Sequence, residues 1–381
     1  FQTAYTAMHT FKQQLEQLDQ QSQLRKIRQT PPCRLNCSSN DYLGLAADTQ
    51  LQTEFLNSFS SDYPAFGSTS SRLLTGDSTH HQALEHTLSM AYQRPALLFN
   101  SGYHANIGIL PALADAHTLI LADKLVHASL IDGIRLSGAA YKRFPHNNIE
   151  RLTAMLAQYA EHYQRIIIVT ESIFSMDGDF APLAELVALK KSYPHVLLYL
   201  DEAHAVGVCG EQGLGLAEQQ ACLNDIDILV GTFGKAAASI GAYVICNEVL
   251  HDFLINHARP FIFSTSLPPI NAAWSNFIFH HFAAWQDKRR HLADISARLR
   301  QAIAKQGLPM PSQSNVVPYI TGSNQSAEQL SATLQSQGCY ALPIRPPTVP
   351  VGSARIRFSL TASMSTQDID WLISLLPSPD S

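Results

Sequence analysis

The stretch Ile226-Asp227-Ile228-Leu229-Val230-Gly231-Thr232-Phe233-Gly234-Lys235 places a lysine directly after a short apolar run. A second apolar run, residues 196–200, ends in Asp201-Glu202-Ala203-His204. Short apolar runs bounded by turn residues are typical of buried strands. The two stretches therefore predict an amine and an acid that leave the ends of neighbouring strands in a layered α/β domain.

A lysine and a carboxylate in this arrangement suit pyridoxal 5′-phosphate (PLP). A lysine amine can bind the cofactor aldehyde as a Schiff base, and a carboxylate keeps the ring nitrogen protonated, so that the ring can withdraw electrons. Either motif alone is equally compatible with a surface lysine after a turn and an acidic residue that caps a helix. Features elsewhere in the sequence are needed to distinguish these interpretations.

Six apolar runs predict a mainly parallel sheet: residues 96–99, 118–121, 165–170, 196–200, 226–230 and 242–246. Segments 152–163 and 182–191 are long enough for crossover helices. Five runs are followed by polar groups: Asn100 to Tyr103, Asp123 and His127, Glu171 to Ser175, Asp201 and His204, and Thr232 to Lys235. Because ligands of open parallel sheets bind beyond the carboxyl ends of the strands, we expect these loops to form one crevice.

The flanking segments divide the chain into three predicted parts. Residues 1–46 form an N-terminal helix and an extended arm, residues 47–284 form the large α/β domain, and residues 285–381 form a small α+β domain. In the last part we expect a helix over 326–337, a strand over 354–360 and a helix over 365–376. The final helix begins with the capping-box-like pair Ser365 and Asp368.

Composition and charge limit the classes of protein to which the chain could belong. The 381 residues are 46% apolar and 15% charged, with a net charge of −5, which is typical of a globular chain and gives no indication of nucleic acid or membrane partners. The six cysteines are scattered without a C-x-x-C pair, and residues 1–29 do not have the pattern of a secretion signal. We therefore expect reduced cysteines and a cytoplasmic location, and we expect no metal site.

The spacing of residues in this chain does not match the motifs of several other enzyme classes. Asp201-Glu202-Ala203-His204 spells the DEAH box of helicases, but Gly234-Lys235 lacks the remainder of a phosphate-binding P-loop. The zinc motif H-x-x-E-H, the G-x-S-x-G elbow and a complete dinucleotide loop are all missing. A non-catalytic PLP-binding protein stays open as an alternative, and the retention of every catalytic candidate argues against it.

Six ordered segments resemble the α-oxoamine synthases, and the similarity extends over nearly the whole chain. The segments are Ser39-Asn40-Asp41-Tyr42-Leu43-Gly44, Ser175-Met176-Asp177-Gly178-Asp179, Asp201-Glu202-Ala203-His204, Thr232-Phe233-Gly234-Lys235, Ser264-Thr265-Ser266-Leu267-Pro268-Pro269 and Ile344-Arg345-Pro346-Pro347-Thr348-Val349-Pro350. This family comprises fold-type I PLP-dependent transferases that join an amino acid to an acyl thioester with loss of carbon dioxide. The resemblance implies a mainly parallel central sheet flanked by helices.

Residue by residue, the resemblance implies a cofactor site. Lys235 would bind the cofactor aldehyde, Asp201 the ring nitrogen and His204 the ring oxygen, while His127 would stack on the ring. The Gly102-Tyr103 backbone and the Thr232 hydroxyl would hold the phosphate, because free N–H groups at a helix start favour an anion. Further cofactor contacts would come from Ser175 and from Thr265 or Ser266 of a second chain. Taken alone, Gly102 is more typical of an ordinary turn than of a phosphate site. Thr265 and Ser266 are nearly as compatible with a solvent-facing turn before Pro268-Pro269.

The resemblance also implies the substrate contacts. Arg345 would clamp the amino-acid carboxylate, with His127 helping to fix it, and Asn40, Arg25 and Thr348 would contact the substrates. The alternatives are a surface arginine stiffened by two prolines for Arg345, and a solvated basic patch for Arg25. Within the family, segments 345–350 and 201–208 look most like the member that condenses L-alanine with a pimeloyl thioester in biotin biosynthesis.

Several points stay open on sequence alone. Three related activities stay open as alternatives: glycine C-acetyltransferase, 5-aminolevulinate synthase and serine palmitoyltransferase. The fold cannot separate them, because the choice of acyl chain depends on the shape of the pocket. The acyl carrier is coenzyme A or acyl carrier protein, and relatives imply a homodimer. Ala238 and Ser70 stand where relatives often have glycine, so a positive φ at either position would cost stability.

Overall fold

Twelve strands are present in residues 2–377, the part of the chain that the computed structural model describes. They are β1 Leu35–Asn36, β2 Ala96–Phe99, β3 Thr118–Asp123, β4 Ala140–Phe144, β5 Arg165–Glu171, β6 Val196–Asp201, β7 Ile228–Thr232, β8 Ala242–Ile245, β9 Val316–Gly322, β10 Cys339–Tyr340, β11 Pro343–Ile344 and β12 Ala354–Ser359.

Fourteen α-helices accompany these strands within the same residues. They are α1 Gln2–Gln20, α2 Thr49–Asn57, α3 Thr79–Tyr92, α4 Gly102–Leu113, α5 Ala128–Ser137, α6 Ile149–Tyr159, α7 Leu183–Lys191, α8 Leu216–Gln219, α9 Glu248–His257, α10 Arg259–Phe263, α11 Pro269–His281, α12 Gln286–Ala304, α13 Asn324–Ser336 and α14 Thr366–Leu375.

The predicted apolar runs form one central sheet of seven strands in the order β2-β8-β7-β6-β5-β3-β4. Strand β8 is antiparallel to both of its neighbours, and the remaining pairs in the order are parallel. Most of these strands are buried throughout, as expected for a sheet covered on both faces. The predicted fold class, a mainly parallel α/β sheet flanked by helices, is confirmed.

Two differences from the predictions concern β7 and β4. Strand β7 begins at Ile228, two residues later than predicted, because Ile226 follows a short 3₁₀ turn and is still part of the connection. Strand β4 was not predicted, since four of its five residues are exposed and the segment lacks an apolar run. An edge strand of this kind carries little hydrophobic signal.

A smaller antiparallel sheet, in the order β11-β12-β9, follows the central domain. The predicted helices and strand of this region are present as α13, β12 and α14. The capping box at the start of α14 is confirmed, since the Ser365 hydroxyl and the Asp368 carboxylate each bond the backbone of the other. The boundaries of the three predicted parts stay a prediction.

The arm that precedes α2 is tied to this smaller region. Strand β1 pairs in parallel with β10, with Leu35 opposite Cys339. The carbonyl oxygen of Cys37 also accepts a hydrogen bond from Ser359 N, at 2.8 Å. These contacts fix the arm so that its next residues, 39–44, run towards the end of β6.

Among the described residues, no helix is long and apolar enough to cross a membrane.

Candidate active site

Lys235 and His204 form the centre of the site. The Nζ atom of Lys235 lies 2.8 Å from Nε2 of His204, which is 5% exposed. Burial lowers the pKa of Lys235 to about 8, although Asp201 and Glu171 oppose this effect. Burial, assisted by the charges of Lys235 and Arg357, also lowers the pKa of His204 well below its ordinary value. The lysine amine is therefore held by a neutral imidazole rather than by an acid.

Asp201 ends β6 and is held by two donors. Its Oδ2 atom accepts a hydrogen bond from Asn106 Nδ2 at 2.9 Å, and its Oδ1 atom accepts one from the backbone N–H of Ala203 at 2.9 Å. Asn106 is itself fixed by the hydroxyl of Tyr199, at 2.6 Å. The carboxylate is 5% exposed and so has a fixed position near Lys235, whose pKa it raises.

His127 stands at the start of α5 and faces outward. Its Nδ1 atom lies 2.8 Å from the Ser129 hydroxyl, and its ring is edge-on to Tyr103 with centroids 6.4 Å apart. Desolvation lowers the pKa of His127, while the charge of Asp201 opposes the shift. A neutral and exposed imidazole is suited to stacking on a flat ring.

The start of α4 provides an anion-binding position. Ser101 caps the helix through His104 N, at 3.1 Å. A β-carbon placed on Gly102 would meet no atom within 4 Å, so the space beside its Cα is open. Free N–H groups at a helix start favour a phosphate.

The three predicted hydroxyl contacts to the phosphate differ in their surroundings. The Thr232 hydroxyl donates to Gly241 O at 3.0 Å, so it would have to rotate to reach an anion. The buried Ser266 hydroxyl donates to Gly76 O at 2.6 Å within its own chain. The Thr265 side chain is exposed. Of the two residues predicted to serve a second chain, Thr265 is the exposed one and Ser266 is buried.

Tyr42, Asn106 and Arg357 were not predicted. Arg357 is 9% exposed, and it donates to Ser175 O at 2.5 Å and to Asn40 Oδ1 at 3.3 Å. The sequence did contain a signal for it. Arg355 and Arg357 alternate with Ile356 and Phe358 in the predicted strand, which puts two charges on one face of a buried element.

The predicted substrate contacts divide between two cavities. His127, Ser175, Arg25 and Thr348 line one of about 570 Å³, in which Arg25 Nη2 donates to Thr348 Oγ1 at 3.3 Å. Arg345 lines a second of about 600 Å³, which Arg25 also lines, and it is paired there with Glu328 and with the carbonyl of Ser22. Asn40 lies beside Arg357 instead.

These residues fit PLP. The amine of half-buried Lys235 contacts His204 and not a carboxylate, Asp201 is a fixed carboxylate, and the Cα of Gly102 at the helix start borders open space. These are the groups that an aldehyde, a pyridine nitrogen and a phosphate require. No group of three or more His, Cys, Asp or Glu residues in the described part of the chain could hold a metal ion.

Known proteins with similar sequences and structures show the family to which the chain belongs. Residues 34–376 match the family model of class I and II aminotransferases. The 8-amino-7-oxononanoate synthase of Haemophilus ducreyi is 57% identical over 350 residues, which cover 90% of each chain.

Two solved structures are also similar. Serine palmitoyltransferase of Sphingomonas wittichii has a TM-score of 0.82 at 32% identity, over 89% of this chain and 85% of its own. The 8-amino-7-oxononanoate synthase of Francisella tularensis has a TM-score of 0.75 at 27% identity, over 90% and 96%. The match to the family model and the curated relative, together with the lysine, acid and helix start that suit PLP, place this chain in the 8-amino-7-oxononanoate synthase family, PLP-dependent acyltransferases within the class I and II aminotransferases.

Proposed function

We propose that the enzyme condenses L-alanine with a pimeloyl thioester and releases carbon dioxide, the carrier thiol and 8-amino-7-oxononanoate. The observation that carries this proposal is the contact of Lys235 with neutral His204 beside Asp201. It supplies an amine of lowered pKa at a buried acid, as amino-acid chemistry with PLP requires. The name of the 57% identical relative supports the choice of substrates.

Lys235, Asp201 and His204 would hold the cofactor, with His127 on its face and the Gly102 and Tyr103 N–H groups at its phosphate. When bound, PLP withdraws electrons from the carbon that carries the amino group and so eases the breaking of a bond there. Asp201 is suited to retain a proton on the ring nitrogen, because its carboxylate is fixed by Asn106 and Ala203.

Lys235 is the base in this proposal. An amine with a pKa of about 8 is partly neutral near pH 7, so its Nζ atom can take the Cα proton of alanine and later return one. The neutral state of His204 matters here, because a charged imidazole at 2.8 Å would oppose protonation of the amine.

The carboxylate of alanine would be bound by an arginine, and the chain offers two. Arg345 is the arginine expected from the sequence, and it is paired with Glu328. Arg357 is buried, bonds Asn40 and lowers the pKa of Lys235 through its charge. Because its charge acts on the lysine itself, Arg357 is the stronger candidate for a carboxylate attached at the same carbon.

The acyl chain would lie in the cavity of about 570 Å³ that runs from His127 to Thr348. Arg25 lies on the wall of this cavity, where its guanidinium can meet the free carboxylate of a pimeloyl group. A monocarboxylic acyl chain would leave this charge without a partner. The carrier itself, coenzyme A or acyl carrier protein, would remain outside the cavity.

A homodimer is part of the proposal. The exposed side chain of Thr265 would complete the phosphate site of the second chain, whereas Ser266 supports the turn from inside. Sedimentation at assay concentration tests this arrangement, and a fully active monomer is incompatible with it.

Side-by-side assays test the substrates. Alanine, glycine and serine are each combined with acetyl, pimeloyl and palmitoyl thioesters, on coenzyme A and on acyl carrier protein, with products identified by mass spectrometry. Alanine with pimeloyl thioester should give the highest kcat/KM, by about tenfold or more over the other pairs. Equal efficiency with glycine and an acetyl thioester would assign the chain to glycine C-acetyltransferase.

A further inference from the structure

Tyr42 connects the N-terminal arm to His204. Its side chain is fully buried, and its hydroxyl lies 2.6 Å from Nδ1 of His204, on the opposite side of the ring from Lys235. The same hydroxyl lies 3.2 Å from Asn40 Oδ1, which also accepts from Arg357 at 3.3 Å. An unbroken line of hydrogen bonds therefore runs from the lysine amine to Arg357.

The directions of these bonds follow from what each group can donate. A protonated lysine amine can only donate, so Nε2 of His204 must accept from it. A neutral imidazole then carries its hydrogen on Nδ1 and donates to the Tyr42 oxygen. The Tyr42 hydroxyl in turn donates to Asn40, which is an acceptor at that atom.

A change of partner at Nε2 would change which ring nitrogen of His204 has to carry the hydrogen. If an oxygen anion takes the place of the amine, Nε2 must carry the hydrogen, and Nδ1 must then accept one. A hydroxyl serves both states, because it can rotate to donate or accept. A side chain without a hydroxyl would leave the buried Nδ1 atom without this partner in both states, which is unfavourable.

We infer that Tyr42 is a positioning residue that lets His204 move its hydrogen between Nδ1 and Nε2 as the group facing Nε2 changes. The inference rests on the role of His204 in the proposed function. Its first test needs neither cofactor nor turnover, so its failure can be told apart from failure of that function.

The first test is the tautomer of His204 in the cofactor-free protein, measured by nitrogen NMR on histidine-labelled samples. The His204 signals are identified by their loss in His204→Gln. The measurement is made at about pH 9, where the Lys235 amine is neutral and can itself accept a hydrogen bond from Nε2. There we expect the Nδ1–H form to predominate in the wild type and to lose its predominance in Tyr42→Phe. Identical tautomer populations in the two proteins would overturn the inference.

The second test uses the protein loaded with PLP, and follows cofactor absorbance against pH. The charged and titratable groups that face His204 are Lys235, Arg357 and His127, and they are unchanged in Tyr42→Phe. We expect the midpoint of the titration to move by about one pH unit. An unmoved midpoint would count against the inference even if turnover falls.

Two controls separate positioning from folding. Tyr92 is another fully buried tyrosine, whose hydroxyl bonds Leu214 O at 2.9 Å and Tyr243 at 2.7 Å, away from His204. Tyr92→Phe should leave both the tautomer and the midpoint unchanged. In a His204→Gln background, Tyr42→Phe should add no further loss of kcat, and an added loss equal to that in the wild type would contradict action through His204.

Discussion

Glu171 and Asp201 are register partners on the parallel strands β5 and β6, so two buried carboxyl groups stand side by side. Burial and then the charge of Asp201 raise the pKa of Glu171 well above its ordinary value. One oxygen of Glu171 has no hydrogen-bond partner, whereas Asp201 has two donors. Asp201 is thus the member of the pair suited to carry the charge, and Glu171 the one suited to remain neutral.

This difference between the two carboxyl groups predicts that their amide substitutions lower kcat to very different extents. Asp201→Asn should lower kcat by about a hundredfold or more, because it removes the charge at the ring nitrogen. Glu171→Gln replaces one neutral group with another and should change kcat by less than about threefold. Exchange of the alanine Cα proton into deuterated water gives a second measure, and exchange at the wild-type rate in Asp201→Asn would remove the role given to that carboxylate.

Lys235→Ala should abolish both reducible attachment of PLP and turnover while the fold is retained, which circular dichroism can check. Borohydride reduction followed by peptide mass spectrometry locates the attached lysine. Mapping to another residue, such as the exposed Lys124 directly after β3, would show that the assignment is wrong.

The pKa of Lys235 also predicts a pH dependence. Only the neutral amine attacks an aldehyde, and burial lowers the pKa to about 8. The rate at which the cofactor-free protein binds PLP covalently should therefore rise as the pH approaches 8 and level off above it. A rise that continues to about pH 10 would indicate an amine of ordinary pKa.

The two arginines can be separated by the KM for alanine. Arg357→Lys should raise this KM by about tenfold or more, because a point charge cannot reproduce the planar fork of a guanidinium. If Arg345 is the clamp, Arg345→Ala should raise the alanine KM strongly and Arg345→Lys should rescue it in part. An unchanged alanine KM in Arg345→Ala would remove that residue from carboxylate binding.

His146 predicts how stability depends on pH. Its ring lies 2.9 Å from Asp123 and 2.6 Å from Asp179, and despite partial burial these two partners raise its pKa from 6.5 to about 10. Because the pKa of His146 is higher in the folded state, its protonated ring stabilises the fold. This contribution is fully present below pH 6.5 and is lost as the pH rises towards 10.

The measurement is the free energy of unfolding of the wild type and of His146→Gln in denaturant. The difference should be about 2–4 kcal/mol near pH 6 and should shrink steadily towards pH 10. A difference that is constant with pH would mean that the imidazolium is not the source of the stability.

Ala238 adopts a φ of 48°, the left-handed region that costs an alanine about 1 kcal/mol. Ala238→Gly should therefore raise the free energy of unfolding by about 0.5–1 kcal/mol. The neighbouring Ala237 is buried and has no such φ, so Ala237→Gly is a matched control that should lower stability. A loss of stability in both variants would show that the turn tolerates the alanine without strain.

The sequence predicted the positions of residues that follow a strongly apolar strand. Lys235, Asp201 and His204 come together because strands β6 and β7 are adjacent and buried. Prediction failed for groups that reach the site from distant segments. Tyr42 and Arg357 lie on the arm and on β12, and nothing in the local pattern of either segment indicates which face of the large sheet it will meet. The concern about Ala238 was justified by its φ, whereas Ser70 does not have a positive φ.

The pairing of the arm with β10 has a consequence for the order of folding during synthesis. Cys37 and Cys339 lie 302 residues apart along the chain, yet their side chains touch. The seven-stranded sheet is complete at residue 245, so it can form on the ribosome while the arm still lacks the strand that fixes it. Because the arm pairs with β10 at residues 339–340, we expect Tyr42 to reach His204 only after that strand has been synthesised. A nascent chain stalled before this point would then contain the folded central sheet with an incomplete active site.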